Sequence, residues 1–354
     1  MKEATKLRIG ITHGDINGIG CEVILKTLND NRILELFTPV VYSSPKVIAY
    51  YRKALGLSNL ASFSIRSANE AHAERINVVN CLSDEARVEM GKSTQHGGEA
   101  AYASLKAAVA EIKAGHLDAL VTAPINKHNI HSEKFNFPGH TEYLQKEFGD
   151  DNVLMLMISG SLRIGILTAH APLAQIPVLV TVDKIVQSLR LINKTMLEDF
   201  NINRPRIAVL SLNPHAGDNG LLGTEEQTVI IPAIESAKNE GIFAFGPYPS
   251  DGFFGSDNYR SFDVVLAMYH DQGMTAFKTL CFENGVNYTA GLKIVRTSPA
   301  HGTGYDIAGK NIASPEPFRQ AIYMACDVIA NRRQYIKLKN NAMKDVEIKH
   351  GEDN

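Results

Sequence analysis

The 354-residue sequence predicts an α/β fold built as two lobes. Three observations point there. Short apolar runs rich in β-branched residues alternate with longer stretches of helical period, the pattern of mainly parallel strands joined by helices. The chain is longer than the roughly 100–200 residues of one domain. Hydrophobic residues make up 44% and charged residues 21%, enough apolar side chain for a sizeable core.

In chain order, the runs LRIGIT, PVVYSS, DALVTA, VLMLMI, LRIGILT, RIAVLSL and DVVLAMY read as strands. ASLKAAVAEIKAG and EEQTVIIPAIESAKNEG keep the helical period and end near glycine. SPAHGTGYDIAGKNIASPEPFRQA is dense in glycine and small polar residues, which permits close backbone approach to a ligand before a proline-initiated helix. The Lys- and Asn-rich stretch after Tyr335 reads as a solvated tail. No internal repeat or linker marks a boundary, so the lobes are expected to interleave pieces of chain.

The formal net charge is -2, from 36 basic and 38 acidic residues, which gives no electrostatic reason to expect nucleic acid or a membrane as partner. An anion must therefore be gripped locally. The amino-terminal MKEATKLRIGIT lacks the apolar region of a signal peptide, and there is no apolar run of membrane-spanning length, so a cytoplasmic location is expected. Cys21, Cys81, Cys281 and Cys326 stand far apart without a CxxC pair, which argues for reduced thiols.

Three histidines share one local grammar. LRIGILTAHAP leads to His170, RIAVLSLNPHAG to His215 and DVVLAMYHDQG to His270, each just beyond a buried-type strand. Ligands of open α/β sheets bind outside the carboxyl ends of the strands, so the three can converge although they are distant in sequence. Neutral imidazole suits zinc and other transition metals, and three protein ligands with an open fourth position characterise catalytic sites. The bland reading is a histidine satisfied by a loop carbonyl. His13 also follows a strand, so the pattern alone does not select which three bind metal; His72, His116 and His350 lie in polar contexts and read as solvated. Asp271 and Asp251 are candidates for orienting a ligand or moving a proton, against a surface reading for Asp251.

A small anionic substrate needs converging donors, and PGHTEYL (His140, Thr141), FKTLCFENGVN (Lys278, Asn287) and LKIVRTS (Arg296) offer them. A lone Lys or Arg is usually a surface side chain, so these count only as a group. Two phosphate signatures fail. GKST at 91–94 has Ala86 where a P-loop needs glycine, and Gly14, Gly18 and Gly20 do not follow the dinucleotide G-x-G-x-x-G order. A Rossmann cofactor site is unsupported.

Taken together, THGDINGIG, APINK, FPGHTEYL, TAHAPL, LNPHAGDNG, MYHDQG and GVNYTAGLKIVRTSPAHGTGYDIAG resemble the 4-hydroxythreonine-4-phosphate dehydrogenase family from about Leu7 to about Arg333. The resemblance implies a two-lobed α/β/α fold similar to isocitrate and isopropylmalate dehydrogenases, not Rossmann. Residues 1–128 with 296–336 would form one lobe, 129–295 the other with the metal and substrate residues, and 337–354 a polar tail. It further implies a homodimer with a shared active site, and a metal (zinc, magnesium or cobalt) on His170, His215 and His270. Substrate contacts fall on His140, Thr141, Lys278, Asn287 and Arg296, and NAD or NADP contacts on His301, Gly302, Thr303 and Asp306. The implied reaction is oxidation of 4-phosphooxy-L-threonine and decarboxylation to 3-amino-2-oxopropyl phosphate, in pyridoxal phosphate biosynthesis. Cys21, MTAFK after HDQG, Gly304 and Tyr305 depart from the usual family pattern, which bears on substrate and cofactor choice.

Other readings stay open at this level: a sister dehydrogenase of phospho-threonate or phospho-erythronate in sugar-acid catabolism, a three-histidine metal hydrolase, and a binding protein that kept the fold without catalysis.

Overall fold

The apolar runs become the strands of one sheet in a computed structural model that describes residues 6–83, 85–149 and 152–341. In its first half the chain lays down β1 (Leu7–Thr12), β2 (Phe37–Ser43), β3 (Ser62–Ile65), β4 (Ile76–Asn80) and β5 (Ala119–Thr122). There follow β6 (Leu154–Ser159), β7 (Leu162–Ile166), β8 (Ile207–Leu210), β9 (Ala244–Tyr248), β10 (Val264–Ala267), β11 (Val286–Ala290) and β12 (Val295–Pro299). Among the described residues the order across the sheet is β3-β4-β2-β1-β5-β12-β11-β6-β7-β10-β8-β9. Thus β1 to β5 occupy one half, β6 to β11 the other, and β12 returns to lie beside β5. Most neighbours are parallel; β11 is antiparallel to both β12 and β6, and β6 to β7.

One apolar cluster runs along a whole face of this sheet, joining Ile9, Val41, Leu156, Ile207 and Leu266 to Leu25, Leu189 and Phe318. These last three come from the helices Gly20–Leu28, Val182–Glu198 and Glu316–Asn341. Each such fully buried side chain contributes about 1.5–3 kcal/mol. The opposite face carries two clusters: Tyr42, Leu105, Phe135 and Tyr143 beneath the helix Gln95–Lys113, and Ile164, Ile166, Val265 and Phe277 beneath the helix His270–Cys281. Helices therefore cover both faces. Between the two clusters the middle strands bring polar side chains together: Thr122 from β5, Arg296 from β12 and Asn287 from β11.

The glycines of GDINGIG serve packing. A methyl group on Gly18 would meet the Thr303 carbonyl oxygen at 2.5 Å, and Ile19 N donates to that same oxygen at 2.9 Å. The turn after β1 is thereby pressed against the 301–309 loop. The last helix continues past Tyr335 to Asn341, so the polar stretch begins as exposed helix; residues 342–354, with His350, lie outside the described residues. No helix among the described residues is long and apolar enough to cross a membrane.

Candidate active site

A cavity of about 230 Å³ opens over the middle strands and is lined by His140, Thr141, Asn287, Arg296, His301 and Gly302, together with Thr122, Lys127, Glu142 and His170. Arg296 forms its floor. Its position on β12, inside the sheet, leaves it only 3% exposed. Nε and Nη2 donate to Thr122 Oγ1 at 3.0 and 2.8 Å, and Nη1 to Thr289 Oγ1 at 3.2 Å. No carboxylate pairs with it among the described residues. Burial lowers its pKa to about 10, against the opposing pull of Glu142, so the guanidinium stays charged at neutral pH. A buried charge held only by hydroxyl groups is costly until an anion arrives.

Around it stand buried polar atoms without a protein partner: His140 Nε2, Glu142 Oε2, Asn287 Oδ1 and His301 Nε2. His140 and Thr141 open the helix His140–Phe148, whose amino terminus favours negative charge. Burial first, then Arg296 and Lys127, hold the His140 imidazole well below its usual pKa, so it enters as a neutral donor. His301 Nδ1 donates to the Gly302 carbonyl at 2.9 Å, which leaves Nε2 as an acceptor; burial lowers this histidine too. The cavity therefore offers donors around Arg296 and acceptors at Glu142 and His301.

A second cavity of about 660 Å³ adjoins the first through Lys127 and His170 and is also lined by His270 and Asp271. His170 Nδ1 lies 3.0 Å from Glu142 Oε1, and His270 Nδ1 lies 2.7 Å from Asp271 Oδ1. Burial pushes the Glu142 carboxyl up, but the His170 hydrogen bond, backbone and Lys127 outweigh it and hold the group below its ordinary range. In each histidine a carboxylate fixes Nδ1 and frees Nε2, the arrangement seen in metal-binding histidines. On His170 that Nε2 lies 3.3 Å from Lys127 Nζ.

His215 lies beyond β8, and β7, β10 and β8 are parallel neighbours, so all three histidines stand at the same end of adjacent strands. It sits in a run of left-handed residues, with φ of 55° at His215, 54° at Ala216, 43° at Asp218 and 55° at Asn219. Non-glycine residues resist this region by roughly 1–2 kcal/mol each in a left-handed helical run. Among the described residues no group of three His, Cys, Asp or Glu side chains is close enough to hold a metal. The physical reason lies in the parts: His170 and His270 share a cavity held by their own carboxylates, while His215 is exposed on its turn outside the cavity lining. The donor chemistry fits a divalent metal, and among the described residues the three histidines do not come close enough to hold one.

Of the remaining sequence candidates, Lys278, Asp251 and Asp271 are exposed; neither Lys278 nor Asp251 lines these cavities. Thr303 and Asp306 lie beside the cavity in the loop that His301 and Gly302 bring to its edge. That loop is anchored by Tyr305, whose hydroxyl donates to Asp15 Oδ2 at 2.7 Å, with Asn126 Nδ2 at 3.1 Å. The glycine-rich backbone and the unpartnered His301 Nε2 fit a nicotinamide nucleotide as donor-bearing ligand. His13 is different in kind: it is 0% exposed, neither ring nitrogen has a protein partner, and burial lowers its pKa to about 4. His72 is exposed and His116 pairs with Glu111 at 2.7 Å.

Sequence reasoning passed over Lys127, Glu142 and Thr122. The signal was present for two of them, since Lys127 closes APINK directly after β5 and Glu142 follows His140 and Thr141 in PGHTEYL.

The family profile described as pyridoxal phosphate biosynthetic protein PdxA matches residues 35–325. A 4-hydroxythreonine-4-phosphate dehydrogenase of Bacteroides thetaiotaomicron is 54% identical over 334 residues, which is 94% of this chain and 91% of the relative. Among solved structures, the 4-hydroxythreonine-4-phosphate dehydrogenase of Klebsiella pneumoniae superposes with a TM-score of 0.78 at 32% identity, covering 93% of this chain and 99% of that one. Isocitrate dehydrogenase of Methylococcus capsulatus shares the fold, with a TM-score of 0.50 at 12% identity over 94% of this chain and 89% of that one. With a profile spanning most of its length and a relative more than half identical to it, the chain belongs to the PdxA family of pyridoxal phosphate biosynthetic proteins, a dehydrogenase family.

Proposed function

We propose that the protein oxidises 4-phosphooxy-L-threonine with NAD or NADP and a divalent metal, and that loss of carbon dioxide then gives 3-amino-2-oxopropyl phosphate for pyridoxal phosphate synthesis. The observation that carries this reading is the cavity around Arg296: a buried, unpaired guanidinium beside His140 and Thr141, with unpartnered acceptors on Glu142 and His301. Such a surface suits a substrate that has anionic groups at one side and an ammonium at another. The 54% identical relative carries the corresponding name.

Arg296, His140, Thr141 and Asn287 hold the anionic groups. Glu142 and Asp271 hold Nδ1 of His170 and His270, so that Nε2 is the ring nitrogen each would offer to the metal. When bound, the metal supplies Lewis acidity toward the reacting hydroxyl and ketone, and the nicotinamide accepts the hydride. Lys127 stands where the two cavities meet. Asp251 and Asp271 are the proposed proton carriers. The 301–309 loop, through His301, Gly302, Thr303 and Asp306, holds the cofactor.

The protein acts as a homodimer in this reading, and a second copy supplies what one chain leaves open, since His215, Lys278 and Asp251 are exposed outside the cavity. In the same reading the lobes are 1–128 with 296–336, which takes in β1 to β5 and most of β12, and 129–295, which takes in β6 to β11, although Phe135 and Tyr143 of the second pack against the first. The test is nicotinamide reduction by the purified protein with 4-phosphooxy-L-threonine or 4-phospho-erythronate, with and without a chelator. Metal-dependent reduction with the amino substrate is expected. Preference for the sugar acid would overturn the substrate assignment, and no reduction with either would overturn the dehydrogenase chemistry.

A further inference from the structure

We infer that Glu226 is the positioning residue for His215: a buried carboxylate that pins the left-handed turn and sets where that imidazole points. The inference rests on the metal reading of the histidines and deepens it. Leu210 ends β8, and from His215 to Asn219 the backbone takes φ values of 55°, 54°, 78°, 43° and 55°. Four of those five residues are not glycine, so the run does not persist by local preference and needs a fixed support.

The support is visible. Glu226 is 1% exposed, and its Oε1 accepts from Leu212 N and Asn213 N, both at 2.8 Å. Its Oε2 accepts from Asn213 Nδ2 at 3.0 Å. Both carboxylate oxygens are thus spent on the segment that enters the turn. Glu226 opens a π-helical turn, Glu226–Ile230, that runs into the helix Ile231–Asn239. Widened turns of this type are frequent at functional sites. Gly217 is fitted to the same carboxylate: a methyl group there would lie 2.6 Å from Oε2, and φ is 78°.

The anchored segment is also tied to the His270 element. Gln272 Nε2 donates to the Ser211 carbonyl at 2.7 Å, while its Oε1 accepts from Met268 N at 2.8 Å. Ser211 Oγ in turn donates to the Asn213 carbonyl at 2.9 Å. A continuous hydrogen-bonded strut therefore runs from Glu226 through Asn213 and Ser211 to the residues flanking His270. It fixes two strand ends against each other without touching a ligand.

The experiment is Co²⁺ titration of the full-length protein, read by visible absorption and calorimetry, with thermal unfolding and oligomeric state followed in parallel. Glu226→Ala should weaken Co²⁺ binding about 10–100-fold, as loss of a supporting group outside the ligand shell does. Glu226→Gln, which keeps an acceptor for the two backbone N–H groups, should recover most of the affinity. A merely structural role would lower the melting temperature of Glu226→Ala and leave its Co²⁺ affinity and spectrum unchanged, and that result overturns the proposal. If Glu226→Ala does not fold, Gly217→Ala disturbs the same contact from the other side, and unaltered Co²⁺ affinity in it overturns the proposal equally. Wild-type protein that takes up no Co²⁺ would instead remove the metal reading, and this inference with it.

Discussion

Arg296 shows how far a residue's meaning depends on where its strand lies. In LKIVRTS it is one cation in a motif, and the default for such a residue is the surface. Packing β12 between β5 and β11 places it instead under the cavity, with three of its five N–H donors turned to Thr122 and Thr289. Arg296→Lys keeps a charge but not the planar fork, so KM for the phosphorylated substrate should rise about tenfold or more while the melting temperature changes little; steady-state kinetics beside a thermal melt check this. His13 gives a second expectation at this scale. Its pKa is about 4 in the folded chain and near the ordinary 6.5 when unfolded, so the unfolded state binds the extra proton between those values. The neutral ring's contribution is complete above pH 6.5 and is lost as pH falls toward 4, on the order of 3 kcal/mol in all. Denaturant unfolding across that window should show this slope, and His13→Asn should flatten it.

At the scale of elements, hydrophobic period recovered β1, β2, β5, β6, β7, β8 and β10 and missed β3, β4, β9, β11 and β12, whose composition belongs partly to something else. LRIGIT, DALVTA and RIAVLSL are buried on both faces and read as continuous apolar runs. SFSI is an edge strand with its middle exposed, AFGPY contains glycine and proline, and VRTSP spends a core position on Arg296. Each breaks the alternation that marks a strand. GDINGIG does not follow the dinucleotide order, and its contact with the 301–309 loop explains its small residues. Gly18→Ala would drive a methyl group into the Thr303 carbonyl. A backbone atom cannot swing aside, so a loss of about 1–3 kcal/mol and weaker NADH binding are expected, from a thermal melt and a fluorescence titration. Equal NADH affinity in the variant would show that the 301–309 loop does not hold the cofactor.

At the scale of the whole molecule, the sheet is continuous from β3 to β9, yet its second face is covered by two separate apolar clusters. The gap between them is where the candidate site forms, because polar side chains there need not compete with a packed helix. His215→Ala should abolish turnover with the fold retained, checked by activity against circular dichroism. If two copies share the site, specific activity should fall on dilution in step with dissociation measured by sedimentation; activity that persists in a monomer would refute the shared site.

Residue pattern alone determined the α/β class, the histidines at three strand ends and the donors of PGHTEYL and LKIVRTS, since these depend on period, spacing and side-chain chemistry. Only the tertiary structure decided that Arg296 is buried and unpaired, that Lys127 and Glu142 join the site, and that His215 stands apart from His170 and His270. Those outcomes depend on which strands become neighbours, and that is settled by packing between segments far apart in the chain.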